Sequence, residues 1–281
     1  MKKNPKINIT EKRILRFSRI FIWLSIVIVM FPVAWIIMAS VSKGDSFFSS
    51  SFIPEQISFN NYKDLFEKTD FIKWVINSLQ LSLYVAFLQL VLSSTAAYAF
   101  SRMRFPGRNK GLMLLLVLQV FPNSMAIAGY YVLIYNFGLS DNFLVLTLVL
   151  AAGSAFNIWL LKSYMDGISK ELDEAAYIDG ANHIITFTKV ILPLAKPQLV
   201  VIFLFSFIAT YSEFVISSIF LPNSGKYTLA VGLQTFITNQ FAANWTIFAA
   251  AAVLSSLPIM IIFMSLQRYI QSGLVAGGVK G

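Results

Sequence analysis

Six apolar stretches in this chain are long enough to cross the hydrocarbon layer of a membrane as helices, which takes about 20 residues each. Hydrophobic residues make up 57% of the 281 residues and charged residues 12%, whereas a soluble domain carries about 25% charged residues. We therefore predict an all-α membrane protein with six transmembrane helices. The predicted spans are Ile20–Val41, Val75–Phe100, Leu112–Phe137, Phe143–Leu161, Leu199–Leu221 and Trp245–Leu266.

The first stretch follows basic residues, as the core of a secretion signal would. Its apolar run is longer than such a core, and no pair of small residues that a signal peptidase would cut follows it. We therefore interpret it as an uncleaved span.

Basic residues are distributed unevenly between the segments that connect the spans. All but five of the 22 Lys and Arg residues lie before the first span or after the second, fourth or sixth span. The five exceptions are Lys43, Lys63, Lys68, Lys73 and Lys226. Because basic residues concentrate on the cytoplasmic side of membrane proteins, we predict that both termini are cytoplasmic. The net charge of +9 thus indicates topology and not a nucleic-acid surface.

The composition excludes most catalytic chemistry. The chain has no Cys and one His, so it offers neither disulfides, nor thiolate ligands, nor a histidine cluster for a metal. It also lacks a glycine-rich phosphate loop with a following Lys-Ser or Lys-Thr, and no nucleophile–base pair stands out. We predict that the chain is not an enzyme and binds no metal or cofactor itself.

The stretch Asp173–Pro197 is charged and carries Ala and Gly, although it lies between two apolar runs. We predict a short helix over Ser169–Ala176, because acids suit its first turns. Gly180 marks a break, since glycine readily takes the left-handed conformation. A second helix is predicted over Asn182–Leu192, with Pro193 stopping it.

Acidic residues outnumber basic ones in this stretch. A helix lying on lipid headgroups would instead be rich in Lys and Arg on its polar face. The acids are Glu171, Asp173, Glu174 and Asp179, against Lys170 and Lys189. We therefore interpret the stretch as a docking surface for a cytosolic protein.

The residues of this stretch resemble the EAA loop of ATP-binding-cassette importer permeases. The matching residues are Glu174, Ala175, Ala176, Asp179, Gly180, Ala181, Phe187, Leu192 and Pro193. The resemblance implies that residues 166–197 form a coupling loop that sits in a cleft of an ATP-binding subunit. It also implies that ATP and Mg are used by such partner subunits, that transport proceeds by alternating access, and that the fold is the type I importer (MetI-like) fold.

Further segments are similar to the carbohydrate branch of that family, and specifically to its maltose-type permeases. They include "SFIATYSEFVISSIFL", "YTLAVGLQTF" and the terminal "GLVAGGVKG". The implied partners are a second homologous permease, two ATP-binding subunits and an extracellular solute-binding protein. The implied division is a cytoplasmic N-terminus at 1–19, a first helix at 20–41, a five-helix permease core at 75–270 and a cytoplasmic tail at 271–281.

The resemblance assigns two further contacts. Asn223, Gly225, Lys226 and Tyr227 would contact the extracellular binding protein. Gly277, Gly278 and Lys280 in the tail would reach between the ATP-binding subunits, and a frayed terminus is the alternative for them.

Four polar residues within or beside the spans are candidates for a translocation path: Gln119, Asn123, Asn157 and Glu213. Glu213 is the only acid inside a predicted span, and exposing it to lipid would cost about 2.5–3.5 kcal/mol or more. It is therefore expected to face a cavity or another helix, and proton coupling is an alternative role. The matching Glu of the maltose-type pattern favours lining the pore or bonding between helices. Hydrogen bonds between helices are equally an alternative for the other three.

The sequence therefore predicts a permease subunit of an ATP-driven oligosaccharide importer in a bacterial plasma membrane. The alternative is an ion-coupled secondary transporter, which would show inverted repeats and more buried charge. A membrane enzyme is a third class, with almost no catalytic groups to support it. Maltodextrin-like glucans are the first expected substrate class, and galacto-oligosaccharides the second.

Overall fold

The computed structural model describes residues 9–44, 54, 56–119, 123–238 and 244–278, and the side chains of these except 9–12, 109, 123–124 and 270–278. The helices are α1 (Ile9–Ser40), α2 (Asn60–Lys68), α3 (Phe71–Arg102), α4 (Arg108–Gln119), α5 (Ile127–Phe137), α6 (Phe143–Ala152), α7 (Ala155–Asp166), α8 (Glu171–Ile178), α9 (His183–Leu194), α10 (Lys196–Tyr211), α11 (Val215–Phe220), α12 (Leu229–Gln234) and α13 (Trp245–Gly278). Within the described residues, the predicted all-α fold is confirmed.

Three of these helices are individually long and apolar enough to cross a membrane: α1, α3 and α13. Over the described residues the number rises to as many as five if each bent helix pair counts as one span. The predicted third span consists of the shorter helices α4 and α5, and residues 120–122 between them, Pro122 included, lie outside the described residues. Pro258 lies inside α13, which continues through it.

The predicted fourth span is broken, since α6 and α7 meet at an angle of 49°. The break at Gly153 frees backbone carbonyls that a continuous helix would pair. Gln89 of α3 donates to the Leu150 carbonyl at 3.0 Å, and Gln119 donates to the Gly153 carbonyl at 3.1 Å. Polar side chains of neighbouring helices thus donate hydrogen bonds to the backbone carbonyls at the break, as a membrane interior requires.

The predicted fifth span, Leu199–Leu221, is also interrupted. Helix α10 ends at Tyr211 and α11 begins at Val215, so Glu213 lies in the break. The apolar stretch predicted one helix, whereas the structure has two. Hydropathy alone does not indicate which side chains form hydrogen bonds with the backbone at a break.

The chain divides into two compact units. The first holds the described residues up to Thr69 together with those from Phe236 to Leu254. At its polar centre, Asn61 donates to the carbonyls of Ser40 and Ser42 at 3.0 and 2.8 Å. The Thr246 hydroxyl donates to the Gly44 backbone carbonyl at 2.7 Å and lies 3.2 Å from the side-chain oxygen Oδ1 of Asn61.

The second unit is built around α3, which packs against α6, α7 and α10. Its buried face is rich in small residues, which let helices approach closely. Those buried small residues are Ser78, Ser82, Ala86, Ser93, Ser94, Ala97 and Ser101. One apolar cluster surrounds Leu81 and Val85 near the Phe71 end of α3, and a second surrounds Ala97 and Tyr98 near the Arg102 end.

Candidate coupling and translocation sites

The coupling segment, residues 166–197, forms two helices joined by a tight turn. Helix α8 begins at Glu171, whose backbone N–H donates to the Ser169 hydroxyl at 3.3 Å. Gly180 takes a φ of +85°, in the left-handed region that favours glycine. Asn182 then caps α9 by accepting from the Ile185 backbone N–H at 2.9 Å. The predicted helix–turn–helix is confirmed.

Two details of that prediction are wrong. Helix α8 continues past Ala176 to Ile178. Pro193 does not stop the second helix, which runs to Leu194. The reason is a π turn at Thr186–Ile191, in which the Leu192 N–H donates to the Phe187 carbonyl five residues back. A π turn already interrupts the regular backbone hydrogen bonds of the α-helix. A proline just after it therefore removes few further hydrogen bonds.

The turn of the coupling segment presents an exposed surface that is partly apolar. Ile178 is 87% exposed and Ile184 is 72% exposed, on either side of Gly180. Glu174, Ala175, Asp179 and Pro193 are exposed as well, Ala181, Phe187 and Leu192 are half-buried, and Ala176 is buried. Exposed apolar residues rimmed by polar ones mark an interaction surface.

The base of the coupling segment is fixed to the Arg102 end of α3 by a buried ion pair. The Arg102 Nε lies 2.7 Å from the Asp173 Oδ2. Arg102 also donates from Nη2 to the Ile168 carbonyl at 2.9 Å. From the sequence, Asp173 was predicted only as one of the acids of this stretch, and Arg102 only as one of the basic residues that indicate topology.

An aromatic group holds the other half of the segment. The Tyr98 ring of α3 lies 4.9 Å from the Phe187 ring of α9, centroid to centroid. The Tyr177 hydroxyl lies 2.8 Å from His183 Nδ1. His183 is therefore exposed yet bonded within the coupling segment.

One of the four candidate path residues, Asn157, belongs to a hydrogen-bond network between helices. Asn157 donates to the Gln89 side-chain oxygen at 3.0 Å and to the Ser206 hydroxyl at 3.1 Å. Gln89 and Ser206 were not among the four candidate path residues predicted from the sequence. Gln89 could have been included, because it is a polar residue within an apolar span, as those four are. Asn123 opens a 3₁₀ turn at Asn123–Ala126, and its side chain lies outside the described residues.

Glu213 caps the short helix α11. One carboxylate oxygen accepts from the Ile216 N–H at 2.7 Å, and the other accepts from the N–H and the hydroxyl of Ser217 at 2.8 and 2.6 Å. Glu213 also lines a cavity of about 340 Å³ together with Gln89, Ser206 and Thr210. The structure thus brings Glu213 and the partners of Asn157 to one cavity, whereas Gln119 lies at the α6–α7 break.

The segment predicted to contact a binding protein is an exposed turn. Asn223 accepts from the Gly225 N–H at 3.0 Å, and Lys226 donates to the Asp141 carbonyl at 2.7 Å. Asn77 of α3 donates to the Tyr227 carbonyl at 2.9 Å. The turn is therefore held against the Phe71 end of α3. In the tail, Gly277 and Gly278 end α13, and Lys280 lies outside the described residues.

Among the described residues, no group of three or more His, Asp or Glu side chains could hold a metal ion. The exposed turn of the coupling segment, the interhelical network and the capped break are built from hydrogen bonds and packing.

Comparison with known proteins gives a consistent result. A family model described as binding-protein-dependent transport system inner membrane component matches residues 9–275. The galactooligosaccharides transport system permease protein GanQ of Bacillus subtilis (strain 168) is 39% identical, over 95% of this chain and 96% of the relative. The maltodextrin transport system permease protein MdxG of the same organism is 36% identical, over 93% and 95%. The maltose/maltodextrin transport system permease protein MalG of Escherichia coli (strain K12) is 37% identical, over 97% and 98%.

Solved structures are similar in fold. A chain of a bacterial ABC transporter that imports the acidic polysaccharide alginate superposes with a TM-score of 0.79 at 25% identity, covering 95% of this chain and 99% of that one. A chain of a bacterial alginate ABC transporter in complex with a periplasmic protein bound to alginate pentasaccharide superposes with a TM-score of 0.63 at 18% identity, covering 91% and 94%.

Proposed function

The chain belongs to the family of binding-protein-dependent transport system inner membrane components, and from that premise we propose that it is a permease subunit of an ATP-driven importer of neutral oligosaccharides. ATP would be hydrolysed by separate subunits. A second permease would complete the path, and an extracellular binding protein would deliver the sugar.

The observation that carries this proposal is the exposed turn of the coupling segment. Ile178 and Ile184 lie 87% and 72% exposed beside a glycine with positive φ. Such apolar side chains are costly to leave in water, and glycine permits a close approach by another protein. An ATP-binding subunit docked on this turn would bury both isoleucines.

The orientation of the chain supports the same arrangement. The coupling segment and the end of α3 at Arg102 carry most of the loop cations, so we place them in the cytoplasm. The turn at Asn223–Tyr227 then lies outside, held to the opposite end of α3, where a solute-binding protein docks. The end of α13 at Gly278 lies on the cytoplasmic side, where it would reach the ATP-binding subunits.

The cavity supports a neutral substrate. Among the described residues that line it, Glu213 carries the one carboxylate, beside the amide of Gln89 and the hydroxyls of Ser206 and Thr210, and none is Lys or Arg. A polyanionic sugar would meet that carboxylate without a cation to offset the repulsion. Galactooligosaccharides and maltodextrins, which the similar permeases transport according to their names, are the first classes to test.

The experiment that tests the proposal is gentle detergent extraction of the tagged protein from its host, followed by reconstitution of what co-purifies. We expect a second permease and an ATP-binding subunit, and we expect uptake of maltodextrins or galactooligosaccharides only with ATP and a binding protein. Sugar uptake by this chain alone, driven by a proton gradient, would contradict the proposal. Equal uptake of alginate oligosaccharides would contradict its substrate class.

A further inference from the structure

We propose that the buried Arg102–Asp173 ion pair is a positioning contact, which makes the coupling segment and the adjoining end of α3 move as one body. The inference rests on the proposed function, since it concerns how motion of an ATP-binding subunit reaches the translocation path. Neither residue belongs to the set that matches the EAA loop.

The pair is a close, buried contact between opposite charges, and it is not an aligned hydrogen bond. The Nε and Oδ2 atoms lie 2.7 Å apart, and the two side chains are only 4% and 7% exposed. The guanidinium of Arg102 is held in place by the Ile168 carbonyl and by the Ser101 hydroxyl, at 2.9 and 3.2 Å. The pair therefore connects α3 with α8 and with the chain just before α8.

Two further contacts reinforce the same junction. The Ser101 hydroxyl donates to Asp166 at the end of α7, at 2.7 Å. One turn earlier on α3, the Tyr98 ring packs on Phe187 of α9 at 4.9 Å. The last turn of α3 is thus attached to α7, α8 and α9.

Burial is what makes the pair rigid. Separating two desolvated charges leaves each without a partner in a medium that solvates it poorly, so the separated state is strongly disfavoured. A surface ion pair would break and re-form at little cost. Any push on α8 is therefore transmitted to α3 and not lost as sliding between the two helices.

The same helix delivers that motion to the candidate path. Gln89 lies on α3 about 20 Å from Arg102 at 1.5 Å per residue, and it bonds both the Asn157 side chain and the Leu150 carbonyl. A displacement of α3 thus moves the network at the α6–α7 break. The attachment at Arg102 and the network at Gln89 therefore lie on one continuous helix.

The first test is functional and uses the assembled complex in proteoliposomes. Asp173→Asn keeps the side-chain size but leaves Arg102 buried without a counter-charge. We expect the ATP-binding subunit to remain bound, while sugar transported per ATP hydrolysed falls at least about tenfold. The charge swap Arg102→Asp with Asp173→Arg is expected to recover part of that ratio. Asp70→Asn, at the exposed opposite end of α3, is the matched control and is expected to leave the ratio unchanged.

The second test measures the movement itself. Because the chain has no Cys, Thr95→Cys on α3 and Glu171→Cys on α8, both exposed, give two defined spin-label positions. In the wild-type background we expect the same narrow distance distribution with and without ATP. Asp173→Asn is expected to broaden it. Arg102→Lys, which keeps the charge but loses the forked donors, is a milder variant for use if Asp173→Asn does not fold.

Two outcomes would overturn the inference. One is an unchanged transport ratio and label distance in Asp173→Asn, and the other is an ATP-dependent shift of about 5 Å, one helical turn, between the labels in the wild type. Failure of the proposed function is distinguishable, because the wild-type chain would then purify without an ATP-binding subunit. The label distance in that isolated chain would still decide whether α8 and α3 are held together.

Discussion

The carboxylate of Glu213 accepts hydrogen bonds from both the backbone N–H and the side-chain hydroxyl of Ser217. An acid within an apolar segment invites a proton-coupling role, yet here both of its oxygens are occupied in capping α11. We predict that Glu213→Gln retains ATP-dependent uptake, since the amide oxygen can still accept one of these bonds. Glu213→Ala is expected to lower stability by about 1 kcal/mol, the usual cost of losing a helix cap.

Thermal unfolding in detergent and uptake assays check this prediction. Ser217→Ala is the matched variant, because it removes the hydroxyl bond and leaves the carboxylate. If Glu213→Gln abolished uptake while unfolding at the same temperature as Ser217→Ala, the carboxylate would have a role beyond capping.

Gly180 and Gly107 form a natural pair for testing the docking turn. Their φ angles are +85° and +84°, and among the described residues no atom beyond the adjacent residues lies within 4 Å of a Cβ placed at either position. An L-residue at either position pays a similar backbone cost, of about 1–2 kcal/mol. We predict that Gly180→Asp loses the ATP-binding subunit and abolishes transport, whereas Gly107→Asp keeps both.

Co-purification and uptake measured in the same membranes check that contrast. Within this chain the turn has room for a side chain, so the obstruction at Gly180 is expected to come from the docked subunit. Equal loss of the ATP-binding subunit in both variants would assign the effect to backbone strain alone.

The coupling segment was predictable from sequence because its signals are local. Gly180 and Asn182 act within a few residues of their own positions, as a left-handed turn and as a helix cap. The Arg102–Asp173 pair was not predictable, because it joins two helices that are far apart in sequence and its partners are set by packing. Charge alone indicated only on which side of the membrane Arg102 lies.

The two interrupted spans show the same difference between local signals, which the sequence contains, and contacts that are set by packing. Gly153 and Glu213 stand in apolar runs whose length predicts single helices. Their breaks are stable because Gln119 bonds the carbonyl at the first, and because Glu213 itself caps the helix that follows the second. Hydropathy records that a segment is apolar, and it contains no information on which side chain pairs a freed backbone group.

Asn61 provides a test of the first unit. It is 9% exposed, and its amide donates to two backbone carbonyls at the end of α1. Asn61→Asp removes both donors and turns a carboxylate toward carbonyl oxygens, so we expect a loss of about 1–3 kcal/mol or more. The neighbouring Asn60 is exposed, and Asn60→Asp is expected to change stability by less than about 0.5 kcal/mol. Equal unfolding temperatures for the two variants would contradict the buried role of Asn61.

Gly232 of α12 packs directly on the indole of Trp74 at the start of α3. A Cβ at position 232 would overlap the ring system, so the absence of a side chain is a packing requirement. We predict that Gly232→Ala destabilises the protein by about 1–3 kcal/mol, the usual cost of overpacking a filled site. Trp74→Leu in the same chain is expected to recover part of that loss, because it removes the ring that the new methyl group meets.

Gly129 of α5 is the matched control for this substitution. It lies in a helix, and among the described residues no atom outside its neighbours and the helix's own backbone lies within 4 Å of a Cβ placed there. Gly129→Ala is therefore expected to be neutral or stabilising, since alanine is the better helix former by about 1 kcal/mol. Opposite signs for the two glycines in detergent unfolding would establish that α12 is seated on Trp74. Similar values would instead mean that α12 does not pack tightly on Trp74.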